Sequence, residues 1–186
     1  MLEKLLEWDQ QALIYLNNLG SEQFDSFWLT VTKFPTWIPL FLLIIFLLVK
    51  THSPKESIGI MFSFIFMLLF VTAAIFLTKE NVGRLRPIND ASVNTVLRAL
   101  TKPSDYSFFS GHAASSFSIA MLSIFYLRKK SKWIYMILVW PLLFTFSRMY
   151  LGVHYPLDIL VGSMVGILCA YFFYRMHQRL KVPYTR

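Results

Sequence analysis

The sequence predicts an all-α integral membrane helical bundle, with about five or six transmembrane helices and an N-terminal amphipathic helix. Three observations predict it. Of the 186 residues, 56% are hydrophobic and only 15% are charged, against about 25% charged in a soluble domain. The charges cluster, leaving long apolar runs between them. Most of those runs approach the length of about 20 residues that crosses the hydrocarbon layer. The net charge of +8 would point to nucleic acid in a soluble protein, but here its origin is topological and no nucleic-acid partner is expected. The single cysteine, Cys169, lies inside an apolar run, which excludes an intramolecular disulfide or a cysteine-based metal site.

Residues 1–26 form the amphipathic segment. Leu2, Leu5, Leu6, Trp8, Ala12, Leu13 and Leu16 recur at helical spacing with Glu3, Glu7, Gln10 and Gln11 between them. No basic stretch leads into a continuous apolar one, so a cleaved signal peptide is not expected. The stripe suits a helix in the membrane interface, and equally a helix packed on the rest of the protein. Five spans follow: Phe27 to Val49, Ile58 to Thr78, Phe108 to Leu127, Trp133 to Ser147, and Leu157 to Tyr174. Lys33, Pro35 and Pro39 interrupt the start of the first. The fourth is short and must borrow flanking residues or sit where the bilayer is thin. With no internal repeat and no low-complexity linker, residues 1–186 read as one membrane-embedded domain, with an outer-face loop over residues 79–109.

Basic residues set the orientation. Lys50 and Lys55 follow the first span, Arg128, Lys129, Lys130 and Lys132 the third, and Arg175, Arg179, Lys181 and Arg186 the fifth. Five spans put all of these on one side, which the positive-inside rule makes cytoplasmic. The C-terminus is then cytoplasmic and the N-terminus outside. Six of the remaining cations, Lys79, Arg84, Arg86, Arg98, Lys102 and Arg148, fall on the outer side together with His112 and His154.

Three segments on that outer side carry chemistry. In Ser147-Arg148-x5-His154-x3-Asp158, Pro156 suits the first position of a helix, placing His154 just before the helix start and Asp158 in its first turn. The carboxylate can then take one ring nitrogen and leave the other free to react, while Arg148 offers a planar fork of donors for phosphate oxygens. A polar loop with a capping Asp explains the stretch almost as well. In Lys79-x6-Arg86-Pro87 the two cations are about two helical turns apart and face one side if the helix continues past Thr78, ending near Arg86 before Pro87. Arg84, between them, reads as a snorkelling side chain. Ser110-Gly111-His112 opens the third span with a hydroxyl, a glycine and free helical N–H groups, an anion cradle with a proton donor beside it. His52 and His177, among the cytoplasmic basic residues, read as solvated interfacial groups.

Together, the order, spacing and sidedness of these segments resemble the signature of the type 2 phosphatidic acid phosphatase family. Vanadium haloperoxidases and glucose-6-phosphatases look similar at the same positions. The resemblance covers roughly Ile58 to Tyr174. It implies a helical bundle that removes phosphate from lipids with no metal or other cofactor. By motif position, His154 is the nucleophile that becomes a phosphohistidine and Asp158 orients it. His112 protonates the leaving oxygen and then activates water, while Lys79, Arg86, Arg148, Ser110 and the Gly111 amide hold the phosphoryl oxygens. One position departs from the family: Phe109 stands where proline usually precedes Ser-Gly-His.

The expected partners are a lipid phosphate and the bilayer. The site opens outward, so the substrate is an outer-leaflet lipid with a terminal phosphate. Arg84, Arg98 and Lys102 would suit a second phosphate, which favours undecaprenyl diphosphate over lipid A phosphates, phosphatidylglycerol phosphate or phosphatidic acid. Small size and short loops suit a bacterial inner-membrane protein. Two other classes compete. A metal hydrolase would use His112, His154 and Asp158 as ligands, but the surrounding cations would repel a metal. A transporter or non-enzymatic lipid-binding protein would place its charges nearer the midplane.

Overall fold

The computed structural model describes residues 1–181, so Arg186 lies outside the described residues. The described residues hold seven α-helices: α1 (Leu2–Asn18), α2 (Glu22–Val31), α3 (Ile38–Thr51), α4 (Pro54–Val82), α5 (Gly111–Leu127), α6 (Val139–Tyr150) and α7 (Pro156–Lys181). Four segments are long and apolar enough to cross a membrane, Phe34–Thr51, Pro54–Asn89, Lys132–Tyr150 and Pro156–Lys181, and α5 is a shorter apolar helix among them. The architecture is an all-α membrane bundle.

Local chemistry sets most helix ends. The Ser53 hydroxyl accepts from the Glu56 N–H at 3.4 Å and Pro54 opens α4, an N-terminal cap followed by the residue that lacks a donor to waste. Gly83 ends α4 in the left-handed region, at φ 61°. The helix therefore stops at Val82, short of the expected end near Arg86, because a glycine accepts that conformation without a Cβ clash. The first span also starts later than Phe27. Helix α2 runs to Val31, Lys33 is extended, and a 3-10 turn over Phe34–Trp37 leads into α3. Pro35 and Pro39 each open one of these elements. The fourth span gains length from a 3-10 stretch, Lys132–Leu138, ahead of α6. At about 2.0 Å per residue there and 1.5 Å in α6, the 19 residues reach about 32 Å, enough for the hydrocarbon core.

Helix α5 lies in the middle, packed along α7 and flanked by α3, α4 and α6. Small residues let α7 approach it. A Cβ on Gly162 would stand 2.6 Å from the Ser110 carbonyl oxygen, and one on Gly166 would stand 2.4 Å from that of Ala114. Leu48, Met67, Leu122, Trp140 and Phe144 fill the interior, while Phe62, Phe66, Leu69, Leu160 and Leu168 face outward. Buried Ser116, Ser123 and Thr145 satisfy their hydroxyls on carbonyls of their own helices, as apolar surroundings demand.

The basic helix ends gather at one end of the bundle, where Lys181 pairs with Glu56. His177 is buried there, its Nδ1 2.7 Å from the Tyr126 hydroxyl, and so is not the solvated group its neighbours suggested. His52 is partly buried against Thr51 Oγ1 at 2.9 Å. At the opposite end, α1 packs on α6 and α7 with Trp8 and Tyr15 exposed. The amphipathic helix packs on the protein through one face and exposes aromatic side chains on the other. Asn17 holds it in place. Its amide donates to the carbonyls of Tyr150 at 2.7 Å and Arg98 at 3.1 Å, and its oxygen accepts from the Arg98 N–H at 2.7 Å.

Candidate active site

The three charged segments meet at the end of the bundle that α1 covers. Pro156 opens α7, so Asp158 falls on its third residue. There its Oδ2 accepts the Tyr155 N–H at 3.0 Å, the back-reaching half of a capping box. The same oxygen lies 3.3 Å from His154 Nδ1 and accepts a hydrogen bond from the Ser107 hydroxyl. His154 is 1% exposed. A neutral ring protonated on Nδ1 satisfies this arrangement and leaves the Nε2 lone pair toward Arg86 NH1, 3.0 Å away. Burial pushes the imidazole down to about 4, against the opposing pull of Asp158. It is therefore an uncharged base at neutral pH.

Lys79 and Arg86 converge on one carboxylate. The turn at Gly83 brings Arg86 back beside Lys79, so a change of chain direction joins them in place of a shared helix face. Lys79 Nζ pairs with Asp105 Oδ2, and Arg86 NH2 with Asp105 Oδ1 at 2.7 Å. Arg86 also donates to the Asp105 carbonyl at 2.9 Å and, through NH1, to the Val153 carbonyl at 2.9 Å. Burial opposes ionisation of Asp105, but the two cations hold it down at about 2.

Arg148, 8% exposed, donates from NH1 to Thr32 Oγ1 at 2.6 Å. Its Nε is buried with no hydrogen-bond partner among the described residues, leaving a guanidinium donor to spare. His112 is partly buried and stacks on Phe144, with ring centroids 4.7 Å apart. It lies close enough to Arg148, His154 and Arg86 to feel their charges. Ser110 caps α5, its hydroxyl accepting from the Ala113 N–H at 3.4 Å. Its own N–H donates to the Asp158 carbonyl at 3.0 Å, tying the two helix starts together. Gly111 is the first residue of α5, where N–H groups lack intrahelical partners. Phe109 is buried in the main core.

All eight residues singled out by the motifs are thus gathered at one end of the bundle. Arg84 does not snorkel. Its NH1 donates to Asp158 Oδ1 and its NH2 to Asp9 Oδ2, both at 2.7 Å. Arg98 is likewise engaged, pairing with Asp25 at 2.9 Å. Asp9, Asp105 and Ser107 were missed. Asp9 looks like one more polar residue of an amphipathic helix, and Asp105 and Ser107 lie in a loop without periodicity. Among the described residues, no group of three or more His, Cys, Asp and Glu could hold a metal ion.

A family model described as the PAP2 superfamily matches residues 60–181. A lipid A 4'-phosphatase of Bacteroides thetaiotaomicron is 30% identical over 185 residues, covering 97% of this chain and 81% of its own. An undecaprenyl-diphosphatase of Sulfolobus acidocaldarius is 29% identical, covering 89% of this chain and 71% of its own. The crystal structure of Aquifex aeolicus LpxE superposes with a TM-score of 0.70 at 25% identity, covering 89% of this chain and 93% of that one.

Proposed function

The chain belongs to the PAP2 superfamily of membrane lipid phosphatases, hydrolases that act within a bilayer, and on that premise we propose that it removes a terminal lipid phosphate through a phosphohistidine on His154. One observation carries the reading. The buried His154 is fixed on Nδ1 by Asp158 while its Nε2 faces the cation that, with Lys79, converges on an anion.

In the first step Nε2 forms a bond to phosphorus as the bond from phosphorus to the lipid oxygen breaks. His112, in its protonated form, gives its proton to that oxygen. The phosphohistidine ring is cationic, and Asp158 stabilises it across the Nδ1–H. In the second step His112 takes a proton from water, the water oxygen bonds to phosphorus, the Nε2–P bond breaks and inorganic phosphate leaves. Lys79, Arg86, Arg148, Ser110 and the Gly111 amide neutralise and position the phosphoryl oxygens, which is most of what phosphoryl transfer asks of a protein. None of these steps calls on a metal.

A groove of about 510 Å³ lined by Phe34, Phe41, Leu48, Phe64 and Ile119 supports a lipid substrate. It starts beside the site, since Phe34 packs on His112 at 5.5 Å and Ser115 lies one turn below His112. An acyl chain fits such a surface while the phosphate rests among the cations.

Between lipids, we favour a phosphorylated glycolipid of the lipid A type over undecaprenyl diphosphate. The argument for a diphosphate rested on Arg84, Arg98 and Lys102 as spare cations; Arg84 and Arg98 are consumed by Asp9, Asp158 and Asp25, which leaves only the exposed Lys102 of the three. The lipid A 4'-phosphatase relative matches nearly the whole chain. Undecaprenyl diphosphate stands as the second reading, because the Sulfolobus acidocaldarius relative is named an undecaprenyl-diphosphatase. The positive-inside rule favours the outer face of the membrane for the site and the cytoplasm for the C-terminus, and we assign that membrane as a bacterial inner membrane.

Phosphate release from these lipids, compared in one detergent with excess chelator, tests the proposal. Turnover that survives the chelator, falls with vanadate and is fastest on lipid A supports it. Activity restored only by a divalent metal contradicts the mechanism, and a large preference for undecaprenyl diphosphate contradicts the substrate.

A further inference from the structure

Arg84 lies behind Asp158, on the side away from His154. Its NH1 takes Asp158 Oδ1 and its NH2 takes Asp9 Oδ2, each at 2.7 Å. The guanidinium carbon sits 3.9 Å from the centre of the Tyr155 ring, and the Tyr155 hydroxyl is anchored on Asp90 Oδ2 at 2.8 Å. With both terminal nitrogens committed, Arg84 does not join Lys79, Arg86 and Arg148 in reaching for phosphate.

Asp9 is the unexpected member. It lies on α1, yet its side chain is 1% exposed. Its Oδ1 accepts the Leu157 N–H at 2.8 Å, one of the unpaired donors at the start of α7. A carboxylate from the N-terminal helix thus caps the helix that carries Asp158, where an anion is favoured by the peptide dipoles. Asp9, Arg84, Asp158 and His154 form a row of alternating charge ending on the ring.

We propose that Asp9 and Arg84 are positioning residues that set how strongly Asp158 supports the cationic form of His154, which makes α1 part of the active site. Arg84 withdraws part of the Asp158 charge from His154. Asp9, by sharing Arg84, gives part of it back. Phosphoryl transfer to Nε2 creates a cationic ring, so the balance acts on the step in which that ring forms.

The inference rests on the phosphatase reading and predicts opposite effects from its two ends. Replacing Arg84 with Met frees the Asp158 charge, so His154 protonates more readily and the acid limb of kcat/KM moves to higher pH. Replacing Asp9 with Asn gives Arg84 wholly to Asp158, and the limb moves to lower pH. The other groups facing these residues stay in place. They are Arg86, Arg148 and His112 around His154, Lys79, Ser107 and the Tyr155 N–H around Asp158, and Asp90 near Arg84.

Full-length wild type, Arg84→Met and Asp9→Asn are assayed from acid to neutral pH on a water-soluble short-chain lipid phosphate in one detergent. The limbs are expected to separate in opposite directions by about half a unit or more each, with KM within about threefold. Limb position does not depend on the amount of folded enzyme, so a destabilised variant still reports. If Arg84→Met yields no folded protein, Arg84→Gln removes the charge but keeps an amide donor for Asp158, and its limb should likewise move to higher pH. Limbs that do not move, or that move the same way in the Arg84 variant and Asp9→Asn, overturn the inference. A wild type inactive on every lipid phosphate overturns the phosphatase reading instead.

Discussion

Asp105 and Arg86 form a two-point pair, with NH2 2.7 Å and Nε 3.1 Å from one carboxylate oxygen, while the other oxygen meets Lys79. A carboxylate therefore sits on two of the cations assigned to the phosphoryl group, and an incoming phosphate must displace it. Asp105 is half exposed, so the pair is screened. Replacing Asp105 with Asn should tighten competitive inhibition by inorganic phosphate about two- to fivefold. Unchanged or weaker inhibition would mean that the carboxylate does not compete.

Asp158 is the only acceptor described for His154 Nδ1 other than the Ser107 hydroxyl at 3.4 Å. Asp158→Asn keeps the shape and can still accept the Tyr155 N–H, but it loses the charge that stabilises a cationic ring. A fall in kcat of about 100- to 10,000-fold with a smaller change in KM is expected. Steady-state kinetics on a short-chain lipid phosphate will report it, and wild-type kcat would break the pairing.

The pH profile follows from burial of His154. Its neutral, nucleophilic form persists down to about pH 4 and is lost below that by protonation. The acid limb of kcat/KM should therefore lie near pH 4, well under the usual histidine range, once the ionisation of the substrate phosphate is subtracted. A limb near 6.5 that belongs to the free enzyme would contradict a buried neutral ring.

Gly166 tests the seam between α5 and α7. Its missing Cβ would stand 2.4 Å from the Ala114 oxygen and 3.0 Å from the Ser118 nitrogen, both backbone atoms. Gly166→Ala forces the helices apart and should cost about 1–3 kcal/mol of stability. A thermal melt in detergent that matches wild type would show that the seam yields freely.

The spans and the charged residues that meet at one end of the bundle were legible because a charge in an apolar chain has few explanations. Lys79, Arg86, Arg148, His112, His154 and Asp158 stood out for that reason. Arg84 stood out equally and was misread. Its partner Asp9 is 75 residues away, and local sequence carries no trace of such a pairing. The end of α4 was readable from Gly83, which offers a left-handed stop ahead of Pro87. The start of the first span was only half legible: Lys33, Pro35 and Pro39 marked an interruption, but Phe27 continues the apolar pattern into α2, and only the folded chain assigns the residues before Lys33 to a separate helix. His177 looked solvated beside Arg175 and Arg179, yet it turns inward to Tyr126.

The covalent intermediate is the most direct test of the mechanism. Enzyme mixed with a lipid phosphate labelled on its phosphorus, and quenched under alkaline denaturing conditions within one turnover, should carry label that acid removes and alkali does not. Mass spectrometry should locate it on His154, and His154→Ala should show neither label nor turnover while remaining folded. Substantial turnover in His154→Ala, or a single turnover that inverts the configuration at phosphorus without labelling the protein, would contradict the account.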